Sequence, residues 1–223
     1  MPTEDFTTYT EADPNNHLSE TSSRVTAAAL IRNESAYVYK DFGADHFDDF
    51  THDFDMRCTA YSGDGAFFMT HSVSNALADF LESGDGVGER VIGVSYYYDI
   101  TSTQLRIYLW QYRAAVMTSD FYGPASLNVT YFIRMKKTGT SLVAGIYSTA
   151  ALRNAGNGTD GDLDNLAITI SDDTYRYCYG GQSVTSSWNP NSSMDAYVEN
   201  LDLQEAAVAA KQIQMDGFYY IEN

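Results

Sequence analysis

The sequence is poor in positive charge. Its 223 residues include 13 lysines and arginines against 30 aspartates and glutamates, which gives a formal net charge of -17 at pH 7. Such a surface repels the phosphates of nucleic acids and of anionic membranes, so we expect neither as a partner. The excess of carboxylates favours solubility or Ca²⁺ binding at loops.

Long apolar runs are also absent. No segment approaches the length of about 18 apolar residues that crosses a bilayer. The opening MPTEDFTTYTEADPNN has neither the basic nor the apolar segment of a secretory signal peptide. We therefore expect synthesis in a cytoplasm, with release by another route, such as on a virus particle, if the protein acts outside the cell.

Familiar catalytic and metal signatures are missing as well. There is no G-x-S-x-G sequence, no P-loop, and no H-E-x-x-H spacing among the histidines. Serine-hydrolase, nucleotide-binding and zinc functions therefore find no support. The two cysteines, Cys58 and Cys178, could pair across a sandwich, but strand cysteines are more often small buried hydrophobes.

What the sequence does contain is a strong strand pattern, clearest in residues 129–148. Val129, Tyr131, Ile133 and Met135 alternate with polar or charged neighbours, which is the period of a pleated strand. Gly139 marks a turn, after which the alternation resumes. These residues predict a β-hairpin.

Similar segments recur along the chain and predict an all-β antiparallel sandwich. They cover residues 24–30, 36–39, 50–59, 66–72, 91–98, 105–112, 129–135, 142–148, 166–171, 174–179 and 196–203. We expect one domain over residues 1–203 and a tail over 204–223. Two helices are predicted, at residues 74–81 after a capping Ser74 and at the alanine-rich residues 203–215. The apolar Phe218, Tyr219, Tyr220 and Ile221 at the end of the tail predict an assembly contact with a sister subunit or a neighbouring protein, hence a homo-oligomer.

Several strings together resemble a known family. Residues 5–16, 36–56, 129–148, 175–183 and 195–203 look like a concanavalin A-like jelly roll and, more narrowly, like laminin-G-like domains of bacteriophage and environmental viral sequences. The resemblance spans about residues 5 to 203. It implies a non-enzymatic virion structural protein, a capsid-decoration or fibre module on the virion surface that contacts other virion proteins. The alternative is a glycan-binding, lectin-like adhesion module that binds polysaccharide, with Ca²⁺ as an optional cofactor.

Related sandwiches include laminarinase-type glycosidases, which carry an E-x-D-x-x-E pattern on one strand. The nearest string here is HDFDMRC at residues 52–58, where Asp53 and Asp55 share a face, as a catalytic acid pair must. Met56 and Arg57 stand where the remaining Glu is required. We therefore expect no catalytic residues. The alternative places Asp53 and Asp55 on a solvated face, balanced by Arg57.

Two further patterns suggest ligand sites. Asp160, Asp162 and Asp164 alternate in a Gly-rich loop and could bind Ca²⁺, although the later positions of an EF-hand loop do not match and a solvated acidic turn is the alternative. The aromatic rows at residues 96–98 and at Tyr108, Trp110 and Tyr112 could stack on sugar rings, as could Trp188 in a loop. The same rows could instead build the core or a protein interface.

Overall fold

Two antiparallel seven-stranded sheets make up most of the computed structural model. It describes residues 3–78, 80, 89–156, 160–184, 191–205, 212–215 and 218–221. The strands are β1 (Thr10–Ala12), β2 (Leu18–Glu20), β3 (Arg24–Ile31), β4 (Tyr37–Asp41), β5 (Phe50–Ser62), β6 (Phe67–Ser74), β7 (Arg90–Asp99), β8 (Gln104–Arg113), β9 (Val116–Tyr122), β10 (Thr130–Thr138), β11 (Ser141–Tyr147), β12 (Asp164–Thr169), β13 (Tyr177–Gln182), β14 (Ser193–Glu205), β15 (Gln212–Met215) and β16 (Phe218–Ile221). A 3-10 helix covers Phe6–Thr8, and the helix α1 covers Ala150–Ala155.

The strand order defines the two layers. Sheet A has the order β1-β4-β13-β6-β7-β8-β9 and sheet B the order β12-β11-β10-β5-β14-β3-β2, while β15 and β16 pair only with each other. All pairings between these strands are antiparallel, which confirms the predicted all-β sandwich. Neither helix in the described part of the chain has the length and apolarity to span a membrane.

The predicted hairpin forms as expected. Strands β10 and β11 pair from Thr138 opposite Ser141, and Gly139 adopts φ +52 in the turn between them. Ile133 and Met135 are fully buried in the core, whereas Arg134 on the intervening position points to the outer side of sheet B. The alternation in the sequence therefore separates core residues from the outward face.

Neither predicted helix is present in the described residues. Strand β6 continues to Ser74, and residues 75–78 form bends. Strand β14 runs to Glu205, across the expected boundary at residue 203, because Gln204 pairs with Thr51 of β5. Sheet pairing thus extends β14 through the first three residues of the predicted helix. Residues 206–211 lie outside the described part.

The tail ends in a hairpin. Phe218 to Ile221 form β16, which pairs with β15 from Met215 opposite Phe218. The backbone of these two strands is described, but their side chains are not. The predicted assembly contact of Phe218, Tyr219, Tyr220 and Ile221 stays a prediction.

Strand β9 was not predicted. It lies at the edge of sheet A, and most of its residues are exposed, including Val116 and Met117. An edge strand with solvent on both sides needs no alternation of apolar and polar residues, so the sequence pattern gives no signal there.

Both cysteines are free and buried in the core. Burial raises the pKa of the Cys58 and Cys178 thiols to about 12. The interpretation as small buried hydrophobes is confirmed, since a thiol that stays protonated and inaccessible is inert.

A pair of histidines lies between the sheets. His71 Nδ1 is 3.0 Å from the carbonyl oxygen of Tyr179, so it must carry a hydrogen, and its Nε2 then accepts from His52 Nδ1 at 2.9 Å. Both rings are fully buried, and His52 Nε2 has no hydrogen-bond partner among the described residues. Burial lowers the pKa of both rings, that of His71 to about 4. The sandwich therefore holds this pair in the neutral form.

We expect the stability of the protein to fall as the pH drops from about 6.5 to about 4. In that window the histidines of the unfolded chain bind protons that the folded chain cannot accept, so proton binding stabilises the unfolded state relative to the folded one. The depressed pKa of His71 alone corresponds to a loss of roughly 2 kcal/mol at pH 5 relative to pH 8. Urea unfolding at a series of pH values measures this. His71→Gln should flatten the curve, and an unchanged slope in that variant would contradict the assignment.

Candidate functional site

The outward face of β5 carries two carboxylates that are almost completely buried. Asp53 is 3% exposed and Asp55 is 5% exposed, although both point away from the core. The expected solvated face is therefore wrong. Phe54 and Met56 lie in the core, and Arg57 donates to Asn128 Oδ1 at 3.1 Å.

Asp53 is held by Arg134 from the neighbouring strand β10. Arg134 Nε donates to Asp53 Oδ1 at 2.8 Å and Nη2 donates to Oδ2 at 2.7 Å, which is a bidentate ion pair. These hydrogen bonds raise the pKa of Arg134. Arg134 Nη1 also donates to the carbonyl oxygen of Gly156 at 2.6 Å, which ties the loop after α1 to the sheet.

Asp55 is held by a different arginine. Arg153 of α1 donates from Nη1 to Asp55 Oδ1 at 2.6 Å and to the carbonyl oxygen of Phe54 at 2.9 Å. Thr149 caps the helix by accepting from the backbone N–H of Leu152, which fixes the start of α1 over the sheet. Burial raises the pKa of Asp55, against the opposing effect of hydrogen bonds from Asn200 and Arg153.

A bulge in β14 brings a third element to the site. Glu199 pairs with Asp55 and Asp202 pairs with Asp53, so β14 has one extra residue between these positions. Asn200 adopts φ +56 at the bulge, and its Nδ2 donates to Asp55 Oδ2 at 2.8 Å. Without this extra residue, the alternation of the strand would place the side chains that follow the bulge on the opposite face of sheet B.

These residues line a cleft of about 360 Å³ on the outer side of sheet B. Its walls are polar and come from β5, β10, α1, β14 and the N-terminal arm: Thr3, Asp53, Arg134, Arg153, Asn154, Asn200, Asp202 and Gln204. A second cavity of about 240 Å³ shares Gln204 with the first and extends toward Lys136 and Thr138.

Asp202 differs from the other carboxylates of the cleft. Gln204 Nε2 donates to Asp202 Oδ2 at 3.2 Å, and it also lies 3.4 Å from Asp53 Oδ2. Asp202 Oδ1 is shielded from solvent and has no hydrogen-bond partner, and no described arginine or lysine forms an ion pair with Asp202. The carboxylate of Asp202 can therefore still accept hydrogen bonds.

The predicted aromatic platform is not an open surface. Tyr96 lies in the main core, while Tyr108 and Trp110 lie on the outer side of sheet A, stacked at 4.5 Å between ring centroids. Both are less than one-tenth exposed, because Phe80 packs on this side of the sheet, 6.0 Å from Trp110. Tyr112 is partly buried beside the same cluster. The row builds a second small core, and Trp188 lies outside the described residues.

Two of the three aspartates in the predicted Ca²⁺ loop have local structural roles. Asp162 accepts hydrogen bonds from the N–H and hydroxyl groups of Ser148 at 2.8 and 2.6 Å, and Asp164 begins β12. A Cβ on Gly161 would lie 2.3 Å from the carbonyl oxygens of Ile146 and Asp164, so a tight turn accounts for this glycine. Among the described residues, no group of three histidine, cysteine or acidic side chains is placed to hold a metal ion. Asp160, Asp162 and Asp164 as Ca²⁺ ligands stay a prediction.

The whole fold is similar to several solved structures. A functionally unknown protein from Saccharomyces cerevisiae has a TM-score of 0.55 and 9% identity, over 91% of this chain and 98% of that one. A legume lectin-like domain from Entamoeba histolytica has a TM-score of 0.52 and 14% identity, over 89% and 90%. A β-glucanase from Bacillus licheniformis has a TM-score of 0.53 and 11% identity, over 91% and 96%.

The fold is a concanavalin A-like jelly roll. This confirms the fold expected from the sequence resemblance. No protein family and no curated protein sequence matches the chain. Identities of 9 to 14% establish only the shared jelly roll, so the function has to be argued from the cleft itself.

The sequence singled out Asp53 of this cleft and the nearby Asp55, but missed the other main side chains. Arg134, Arg153, Asn200, Asp202 and Gln204 were not singled out. Arg153 lies 98 positions from Asp55 in the sequence, and no local pattern indicates their contact. The available signal for a buried polar site was that one strand carries two carboxylates on the same face and few basic residues that could pair with them.

Two ion pairs of the same geometry test the effect of burial. Arg134 with Asp53 and Arg176 with Asp41 both have hydrogen bonds of 2.8 and 2.7 Å, but the first pair is buried and the second is exposed. Arg134→Met should lower the free energy of unfolding by about 3 kcal/mol, because it leaves Asp53 buried without its main partner. Arg176→Met should leave the stability within experimental error. Equal losses in the two variants, measured by urea unfolding, would contradict this account.

Proposed function

We propose that this jelly roll is a non-catalytic carbohydrate-binding module, and that its binding site is the polar cleft on the outer side of sheet B. The observation that carries the proposal is a cavity of about 360 Å³ whose polar side chains are fixed in position by buried ion pairs. A site of this kind loses little conformational entropy when a ligand binds.

Sugars suit such a cleft because each hydroxyl group both donates and accepts hydrogen bonds. The cleft offers the half-buried carboxylate of Asp202 as an acceptor, and the guanidinium groups of Arg134 and Arg153, whose hydrogens exceed the bonds that each makes within the protein. Two proteins of similar fold are named as a lectin-like domain and a β-glucanase, which fits a carbohydrate ligand, although this likeness alone concerns the fold.

Binding is favoured over hydrolysis by the state of the two carboxylates on β5. A glycosidase needs one carboxyl group free to protonate the leaving oxygen and a second free to act as base or nucleophile. Here Arg134 occupies both oxygens of Asp53, and Arg153 and Asn200 occupy those of Asp55. On this proposal, the protein releases no reducing ends from laminarin or agar.

Loss of Gln204 should weaken glycan binding. A glycan array identifies the bound sugars, and titration calorimetry then compares the variants. Gln204→Ala should reduce the affinity roughly 3- to 10-fold, the effect of one lost hydrogen bond in a cleft that keeps its ion pairs. Tyr112→Ala serves as the control on sheet A and should bind as the unmodified protein does. The reverse pattern would move the site to the aromatic row, and Ca²⁺-dependent binding would point to the acidic loop.

Display on a virus particle, as a capsid-decoration or fibre module, is our second proposal. It is supported by the resemblance of residues 5–203 to viral jelly rolls and by the C-terminal hairpin of β15 and β16, which pairs with neither sheet. The hairpin would contact a sister subunit or another virion protein, while the cleft stays available for polysaccharide.

Removal of residues 206–223 tests this assembly role and leaves β14 complete. We expect the native mass, measured by light scattering, to fall from that of an oligomer to that of one chain, with an unchanged melting temperature. A truncated protein with the same native mass as the full chain would contradict the role of the tail.

A further inference from the structure

We infer that Asp202 determines the specificity of the cleft, which accepts a neutral glycan hydroxyl at the half-buried carboxylate of Asp202 and rejects acidic glycans such as uronates and sulfated sugars. This inference rests on the proposed carbohydrate-binding function. It adds a ligand class to that function and assigns the selection to one side chain.

The carboxylates in and beside the cleft differ in whether they are paired with an arginine. Asp53 is paired with Arg134, Asp55 with Arg153, and Glu199 with Arg24 at 2.5 Å. Asp202 forms no ion pair with a described residue. The positive charges of the cleft are therefore already matched by carboxylates of the protein, and the charge that remains is negative.

Asp202 also has unused hydrogen-bonding capacity. Its carboxylate is half-buried and receives a hydrogen bond from Gln204 on Oδ2, whereas an ionised carboxylate has about four acceptor positions. A ligand that supplies a donor to this carboxylate therefore compensates for the water that it displaces on binding. A sugar hydroxyl is such a donor. A carboxylate or sulfate group has no hydrogen to donate.

An anionic ligand would be repelled in this cleft. Its charge would lie beside Asp202, which forms no ion pair with a described residue, and it would approach a chain of net charge -17. The positive charges of Arg134 and Arg153 are already balanced by Asp53 and Asp55, so little net attraction is left for a further anion. Repulsion and the lack of a donor on the anionic group both weaken its binding.

The test uses matched polymers and one isosteric variant. Titration calorimetry compares laminarin with sulfated laminarin, dextran with dextran sulfate, and galactan with polygalacturonate. We expect the acidic member to bind at least tenfold more weakly in each pair whose neutral member binds. Asp202→Asn should weaken neutral binding roughly tenfold, because the acceptor loses the charge that strengthens the hydrogen bond, and should narrow the difference between neutral and acidic members.

Glu199→Gln is the control, since Glu199 lies on the same strand but is paired with Arg24. It should change neither the affinity nor the selectivity by more than about twofold. The melting temperature separates ligand binding from a structural role: Asp202→Asn should melt at or above the temperature of the unmodified protein, because its unpaired charge is gone.

The outcomes separate a failure of the role of Asp202 from a failure of the proposed carbohydrate binding. Equal or tighter binding of the acidic polymers, or an unchanged selectivity in Asp202→Asn, overturns the role of Asp202 while glycan binding stands. A marked drop in melting temperature in Asp202→Asn shows a structural role and also overturns it. Absence of binding to all six polymers and to a glycan array overturns the proposed function and this inference together.

Discussion

Two buried carboxylates on the outward face of β5 are the constraint around which sheet B is organised. A carboxylate shielded from water is tolerated only with a positive partner or several hydrogen bonds. Asp53 and Asp55 obtain these partners from separate parts of the chain, namely β10, α1 and β14. The position of α1 and the bulge at Asn200 follow from the same requirement, since each brings a donor to a carboxylate.

The same ion pairs also hold the polar side chains of the cleft in position. Polar side chains on a sheet surface are usually free to move, and fixing them costs entropy. Here the guanidinium planes of Arg134 and Arg153 are held by two or more hydrogen bonds each, before any ligand is present. Asp202 is the exception, because one of its oxygens is left without a donor in an otherwise paired cluster. A carboxylate without an ion pair, among carboxylates that each have one, can bind a donor group of a ligand.

The outer side of sheet A is packed differently, by apolar side chains. Its aromatic side chains are covered by Phe80 and Val184 and form a second apolar cluster separate from the main core. Trp110 even satisfies its indole N–H internally, on Ser95 Oγ at 2.6 Å. The two outward faces of the sandwich thus differ. In the described residues, sheet A carries a packed apolar cluster on its outer side, while sheet B has a polar cavity there.

The fold class, the β10–β11 hairpin and the identity of its core residues follow from the sequence alone, because strand alternation is a local property of two-residue period. The same alternation places Asp53 and Asp55 on one face. It does not show that this face is buried, that an edge strand without alternation exists at β9, or that β14 continues to Glu205. The partners of the carboxylates lie 81, 98 and 145 positions away, at Arg134, Arg153 and Asn200. Only the order of strands in the sheet, one helix and one bulge bring them together, and for that reason the tertiary structure alone decided the site.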